Sequence, residues 1–279
     1  MQFTFYANFA ETVKEKGIKA AAEYAQRMGF SSVEMLEMGQ PTVIKTVAEA
    51  REAKKVLADH GLTMACYSVG ITLFQSAEAE DALMKHAEIA AEMGSPFLHH
   101  TLILALEMAP GMPSFEDGIA YVTDAATRIA NYAKTLGTTC IYEDQGMYAN
   151  GVEGFGAFFN EMKRRCSNVG VCGDVGNSLF VDVEPEDFFA AYAKDIVHVH
   201  IKDYLRKSGP IAPGHDWHHT RGGNWLRDTT VGSGVVNFDA CMKILKDAGY
   251  TGHYALELAH PEPFDAGVRQ AMEYLNRWA

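Results

Sequence analysis

Four potential metal ligands close four short apolar runs in the second half of the chain: Glu143 in TTCIYED, Asp174 in VGVCGD, His200 in IVHVHIKD and Glu257 in HYALE. Three carboxylates and one imidazole suit a divalent cation such as Mn or Mg better than a structural zinc. Brought together without a cation, they would leave two or three buried negative charges uncompensated, which is costly. A cation held there could bind two adjacent sugar oxygens and polarise a carbonyl. The neighbouring C–H would become acidic, and Glu143 and Glu257, on opposite sides of a substrate, would supply one base and one acid. One carboxylate after a strand is most often a helix N-cap or a surface group. Four such ligands on successive strands point instead to a shared site.

The elements that must position them alternate. Strand candidates cover 2–7, 31–36, 62–68, 96–102, 138–143, 169–174, 196–201 and 253–258, each short and rich in Val, Ile, Tyr or Cys. Between them run segments with apolar residues at three- and four-residue spacing, as in Ile18, Ala21, Ala22, Ala25 and Met28, which stop at Gly29. Gly61, Gly94, Gly137 and Gly249 punctuate the chain in the same way. Eight such units in 279 residues predict an α/β fold, a single-domain (β/α)8 TIM barrel over 1–279. The alternative, a doubly wound open sheet, lacks its glycine-rich turn: Tyr6-Ala7-Asn8-Phe9-Ala10 follows the first strand. In a barrel the carboxyl ends of the strands share one mouth, so the four ligands converge. Two long connections, 108–116 and 204–234, leave that mouth, and the second carries His215, Trp217, His218, His219, Arg221 and Trp225. It is expected to act as a lid or an oligomer contact.

Composition narrows the partners. Acidic residues outnumber basic ones 36 to 24, for a net charge of -12, which disfavours nucleic-acid binding. The N-terminus has no basic start or apolar signal core, and no uncharged apolar run reaches the roughly 20 residues of a membrane span. Cys66, Cys140, Cys166, Cys172 and Cys241 include no CxxC pair. Reduced thiols and a cytoplasmic location are expected.

At this point the residues are similar to a known group. GIKAAAEYAQRMGFSSVEML, VHVHIKD, VGSGVVNF and YALEL resemble the sugar phosphate isomerase/epimerase superfamily with the xylose isomerase-like barrel, nearly end to end. The resemblance implies a divalent metal, commonly Mn, with Mg, Co or Zn as further candidates, on Glu143, Asp174, His200 and Glu257. It implies a sugar, keto-sugar or cyclitol substrate and a homo-oligomer, a dimer or tetramer. In the ketose 3-epimerase branch the two metal-bound glutamates exchange a proton at carbon 3. In that branch an arginine six residues after the metal histidine contacts substrate, which puts Arg206 forward. The chain departs from that branch at Ala149, where a second glutamate is usual, and at Asn177, where a histidine is usual. Other branches are inosose isomerases and dehydratases, hydroxypyruvate isomerases and subunits that cleave carbon-linked glycosides.

Further side chains complete the expected site. Alternation turns one of His99 and His100 inward, and His100, nearer the mouth, is expected to touch substrate. Gln145 is placed to bond a sugar hydroxyl, or to cap a loop, and Asn177 to face the substrate. Glu34 belongs either to the site or to a network on the barrel floor. His198 lies deeper than His200. Lys202 and Asp203 read as a structural ion pair or as support for the ligands. Trp217 and Trp225 are expected to pack in the lid or an interface. The leading function is a metal-dependent isomerase or epimerase working by proton transfer beside a carbonyl. The alternatives are a metal-dependent lyase or dehydratase on an inosose or 3-keto-glycoside, a metallo-nuclease, which the charge opposes, and a non-enzymatic sugar-binding protein.

Overall fold

The computed structural model describes residues 1–38, 42–74, 76–103, 105, 111–258 and 264–279. Eight parallel strands close into a barrel: β1 (Gln2–Phe5), β2 (Ser32–Met38), β3 (Thr63–Gly70), β4 (Phe97–His100), β5 (Thr139–Glu143), β6 (Val169–Asp174), β7 (Ile196–Ile201) and β11 (His253–Leu256). β1 closes the ring between β11 and β2. The ring of helices is α1 (Phe9–Met28), α2 (Val47–Asp59), α3 (Ala77–Met93), α4 (Phe115–Thr135), α5 (Gly151–Arg165), α6 (Pro185–Tyr192), α7 (Phe238–Asp247) and α8 (Phe264–Leu275). The expected barrel is thus the observed one, because strands buried on both faces read as short continuous apolar runs.

The helices bury their stripes against the outer face of the barrel. Tyr67, Tyr142, Phe155, Phe158 and Phe188 are fully buried in that layer. Inside the barrel, Cys66, Ile141 and Cys172 form a separate small apolar floor. In α1 the anticipated stripe buries Ala21, Ala22, Ala25 and Met28, and Gly29 ends the helix at φ 87°, bonding back to Ala25 and Gln26. The helix begins earlier than the stripe suggested, at Phe9, with a break at Gly17 where φ is 83°. No helix among the described residues is long and apolar enough to cross a membrane.

The long connection after β7 is a folded element rather than an open loop. It holds β8 (Asp203–Ser208), β9 (His218–His219) and β10 (Asn224–Thr229), an antiparallel sheet in the order β8-β10-β9. Asp203 anchors it: its carboxylate accepts from the backbone N–H groups of Tyr204, Gly232, Gly234 and Val236. Trp217 lies under Lys207 and Arg227, and Trp225 donates to the Gly209 carbonyl, so both indoles pack within this element. In the connection 108–116, residues 108–110 lie outside the described residues.

Candidate metal and proton-transfer site

Register decides which residues face the barrel interior. Parallel partners at one level of the sheet point the same way, and successive residues alternate. The pairs Glu34↔Cys66, Ser68↔His99, Glu143↔Cys172, Cys172↔His198, Asp174↔His200 and His200↔Ala255 trace one inward set around the barrel. Register shifts just before Glu34 and just before Cys172 mark bulges that re-aim those two strands.

The four anticipated ligands meet at the mouth. One ligand atom from each of Glu143, Asp174, His200 and Glu257 lies within 4.8 Å of all the others. His200 Nδ1 is 2.6 Å from Glu143 Oε1 and 3.8 Å from Glu257 Oε2. The Glu143 side chain is 2 % exposed and that of Glu257 33 %, so one acid is sealed in the barrel and the other sits at its rim. Lys202 Nζ bridges the rim, 3.1 Å from Asp174 Oδ2 and 2.9 Å from Glu257 Oε1. It also donates to Asn177 Oδ1 at 3.1 Å. Asp174 Oδ1 accepts from the N–H groups of Gly176 and Asn177 at 2.8 Å, while Oδ2 is buried with no hydrogen bond among the described residues despite the nearby ammonium.

Burial and neighbouring charges shift the acids of this cluster in different directions. Burial pushes the Asp174 carboxyl up, Lys202 opposes it, Glu143 and Glu257 add repulsion, and the group settles at about 7. Asp144 is pushed well above its usual value by burial, then by Asp174 and Glu143. Burial also pushes Glu143 up, but the facing His200 more than reverses it and holds the carboxyl down at about 2. Glu143, Asp174 and Glu257 crowd together around His200, and Asp174 keeps a buried oxygen without a hydrogen bond among the described residues. The four form a donor set that a divalent cation satisfies.

Below the quartet lies a second polar layer. Glu34 is fully buried and accepts from His198 Nε2 at 2.7 Å, from His200 Nε2 at 3.1 Å and from Ser68 Oγ at 2.5 Å. With both oxygens occupied, Glu34 supports the ligands rather than joining them. Of the two expected roles it takes the floor network, and through His200 it also reaches the site. Tyr6 stacks on the His200 ring with centroids 4.5 Å apart.

Several expected contacts are relocated. His99, not His100, faces the interior, because its register partner Ser68 does. His99 Nδ1 is 3.1 Å from Ser68 Oγ, and its ring meets His200 edge to face. His100 turns outward, packs on Tyr142 and shares its Nδ1 hydrogen with the Thr101 carbonyl. The expectation for His100 was wrong in phase: alternation cannot say which of two adjacent histidines points in until the strand's neighbour is known. Both rings border a narrow cleft that Glu143, Gln145 and Ala149 also line. Asn177 is buried beside Asp174, with its Nδ2 unpartnered among the described residues. Arg206 is not brought to the quartet by any described contact; it lies on β8 and donates to Glu184 Oε1 at 2.6 Å. Ser68 and Tyr6 carried no signal in isolation, being an ordinary strand serine and a residue just past β1. Asp144 had one: it directly follows Glu143, so a second carboxyl stands within electrostatic reach of the candidate ligands.

A family model described as the xylose isomerase-like TIM barrel matches residues 22–278. Solved structures share the fold at low identity. A xylose isomerase domain protein from Planctomyces limnophilus is 17 % identical with a TM-score of 0.77, covering 99 % of this chain and 96 % of that one. A D-psicose 3-epimerase with D-tagatose from Clostridium cellulolyticum H10 is 13 % identical with a TM-score of 0.76, covering 99 % of each chain. A xylose isomerase-like TIM barrel protein from Mycobacterium smegmatis in complex with magnesium is 17 % identical with a TM-score of 0.73, covering 95 % of this chain and 90 % of that one. No curated protein matches the sequence.

Proposed function

Because this chain belongs to the xylose isomerase-like TIM barrel family, we propose that it is a divalent-metal-dependent isomerase or epimerase acting on a sugar, keto-sugar or cyclitol. The observation that carries this reading is the convergence of Glu143, Asp174, His200 and Glu257 within 4.8 Å at the carboxyl ends of the strands. These four residues would hold the ion, Mn first, with Mg, Co or Zn as alternatives. A divalent cation bound there supplies Lewis acidity, lowering the cost of removing a proton beside a carbonyl.

The chain's own residues do the rest. Glu143 and Glu257 come from β5 and the end of β11, with β6 and β7 between them, so their carboxylates reach the mouth from different sectors. Sealed in the barrel and held ionised, Glu143 suits the base. Glu257, at the rim, can exchange its proton with solvent and suits the partner acid. Lys202 fixes the Asn177 amide by its oxygen, which leaves Nδ2 to donate to a substrate oxygen. Gln145 borders the same cleft. Arg206 on β8, paired with Glu184, is kept as a candidate substrate contact. The small-molecule substrate, the cytoplasmic location and the homo-oligomer remain parts of this proposal; the five free, buried cysteines favour a reducing compartment.

The test is proton exchange. Chelator-treated protein reloaded with Mn2+ or Mg2+ should bind the ion and wash deuterium from D2O into a ketose or inosose. Glu143→Gln should slow that wash-in by about 10²–10⁴-fold while the protein stays folded. Absence of metal binding, or wash-in that ignores Glu143, would sink the reading. Loss of water from an inosose would move it to a dehydratase.

A further inference from the structure

We propose that His99 is a further substrate-binding residue of this site and that its Nε2 takes a hydroxyl hydrogen of the substrate. For where the substrate lies, this rests on the isomerase or epimerase reading. The rest follows from hydrogen-bond accounting. Ser68 owns one hydroxyl hydrogen, and the Glu34 carboxylate, whose oxygens only accept, takes it at 2.5 Å. Ser68 Oγ is left as an acceptor, and the nitrogen 3.1 Å away is His99 Nδ1. That nitrogen must carry the ring hydrogen. In the neutral imidazole the other nitrogen, Nε2, is then an acceptor.

Among the described residues, the buried His99 Nε2 has no hydrogen-bond partner. It faces Glu143 Oε2 at 3.9 Å, beyond hydrogen-bond reach. The carboxylate also only accepts, so two acceptors look into one space. A native fold seldom leaves such a nitrogen unpaired, and functional sites are where the exceptions occur. A hydroxyl resolves the conflict, because it gives its hydrogen to Nε2 and keeps its oxygen free. A carboxylate or phosphate oxygen would meet two lone pairs. The cleft beside these atoms measures about 10 Å³, the lower edge of what one water needs, so it admits a hydroxyl-sized group. The geometry therefore points to a hydroxyl, rather than an acid group, next to Glu143.

The test uses the full chain with saturating Mg2+, 15N-labelled histidines and two probes, D-tagatose and myo-inositol. Two-bond 1H–15N correlation spectra should show His99 with its hydrogen on Nδ1, and at least one polyol should bind and shift the Nε2 resonance. His99→Phe should weaken polyol binding by about tenfold, the worth of one buried hydrogen bond. His99→Gln, which keeps a polar atom near the Nε2 position, should stay within about threefold of wild type, and Mg2+ binding should be unchanged in both. A hydrogen on Nε2, a His99→Phe protein that binds polyol as tightly as wild type, or failure of both polyols to bind a Mg2+-loaded chain would each overturn the proposal. Should His99→Phe not fold, the wild-type spectrum and His99→Gln still decide it. Failure of the wild-type chain to bind Mg2+ would instead remove the metal reading, and in that metal-free chain a hydrogen on His99 Nε2 would still overturn the proposal, while a hydrogen on Nδ1 would uphold it.

Discussion

Glu34 Oε1 lies 3.1 Å from His200 Nε2, on the far side of the ring from the nitrogen that faces Glu143. One carboxylate on β2 thereby fixes which way a histidine on β7 presents its mouth-facing nitrogen. Carboxylates that brace a ligating imidazole are worth about 10–100-fold in metal affinity. Glu34→Gln keeps the volume and loses the charge, so it should weaken Mn2+ or Mg2+ binding by about that factor. Calorimetric titration of chelator-treated protein measures it, with circular dichroism to confirm the fold. Unchanged affinity would show that Glu34 serves only the floor of the barrel.

Lys202 holds Asp174 and Glu257 together from a buried position between β6 and β11. Lys202→Met removes the ammonium and leaves the carboxylates facing each other. Breaking a buried pair on one side costs about 3–5 kcal/mol, and Glu257's partial exposure puts the effect at the lower end. Urea unfolding without divalent metal should register that loss, and added Mg2+ should recover part of it by supplying the missing charge. A loss that metal leaves untouched would argue that the lysine serves only packing.

The barrel was legible because its strands are apolar on the outward face and bounded by helix-stopping glycines. β6 and β7 begin and end where the sequence placed them, at Val169–Asp174 and Ile196–Ile201. The quartet was legible because each ligand interrupts such a run at its carboxyl end. The inward histidine of β4 was not, since its phase depends on the Ser68↔His99 register, a contact with a segment 31 residues away. The surroundings of Arg206 were illegible for a related reason. The chain after His200 enters the antiparallel sheet of β8, where Arg206 stands opposite Leu226 and reaches Glu184. That sheet was hidden because DYLRKS and NWLRDT lack the apolar alternation that announces a strand.

The VHVHIKD and VGSGVVNF segments, far apart in sequence, meet at Asp203 and Gly234. The Gly234 N–H donates to Asp203 Oδ2 at 2.8 Å, and a Cβ on Gly234 would stand 2.2 Å from Asp203 Oδ1 and 2.3 Å from the Tyr204 carbonyl oxygen. The Asp203 carboxylate is held by four backbone N–H groups and the Tyr204 carbonyl is backbone, so the chain itself must move. Gly234→Ala should cost about 1–3 kcal/mol, read as a lower urea midpoint. If alanine is neutral, the anchor is looser than the contacts imply.

His100 links the corrected site geometry to pH. Burial pushes its imidazole down from the usual 6.5 to about 4, with the Thr101 carbonyl opposing and His99 assisting. A folded ring that titrates lower than the unfolded one binds fewer protons at mildly acidic pH. Its stabilising contribution is therefore complete above about 6.5 and is lost as pH falls from there through about 4. Over that window one such histidine is worth about 3 kcal/mol. Buried acids with raised values, Asp144 and Asp174, act in the opposite direction, so wild-type stability alone does not isolate the ring. The difference between wild type and His100→Phe does. Urea unfolding of both proteins at pH 7.5 and pH 4 should show the wild type losing about 3 kcal/mol more than the variant. Parallel losses would mean that His100 is protonated in the folded protein and finds a partner for the charge.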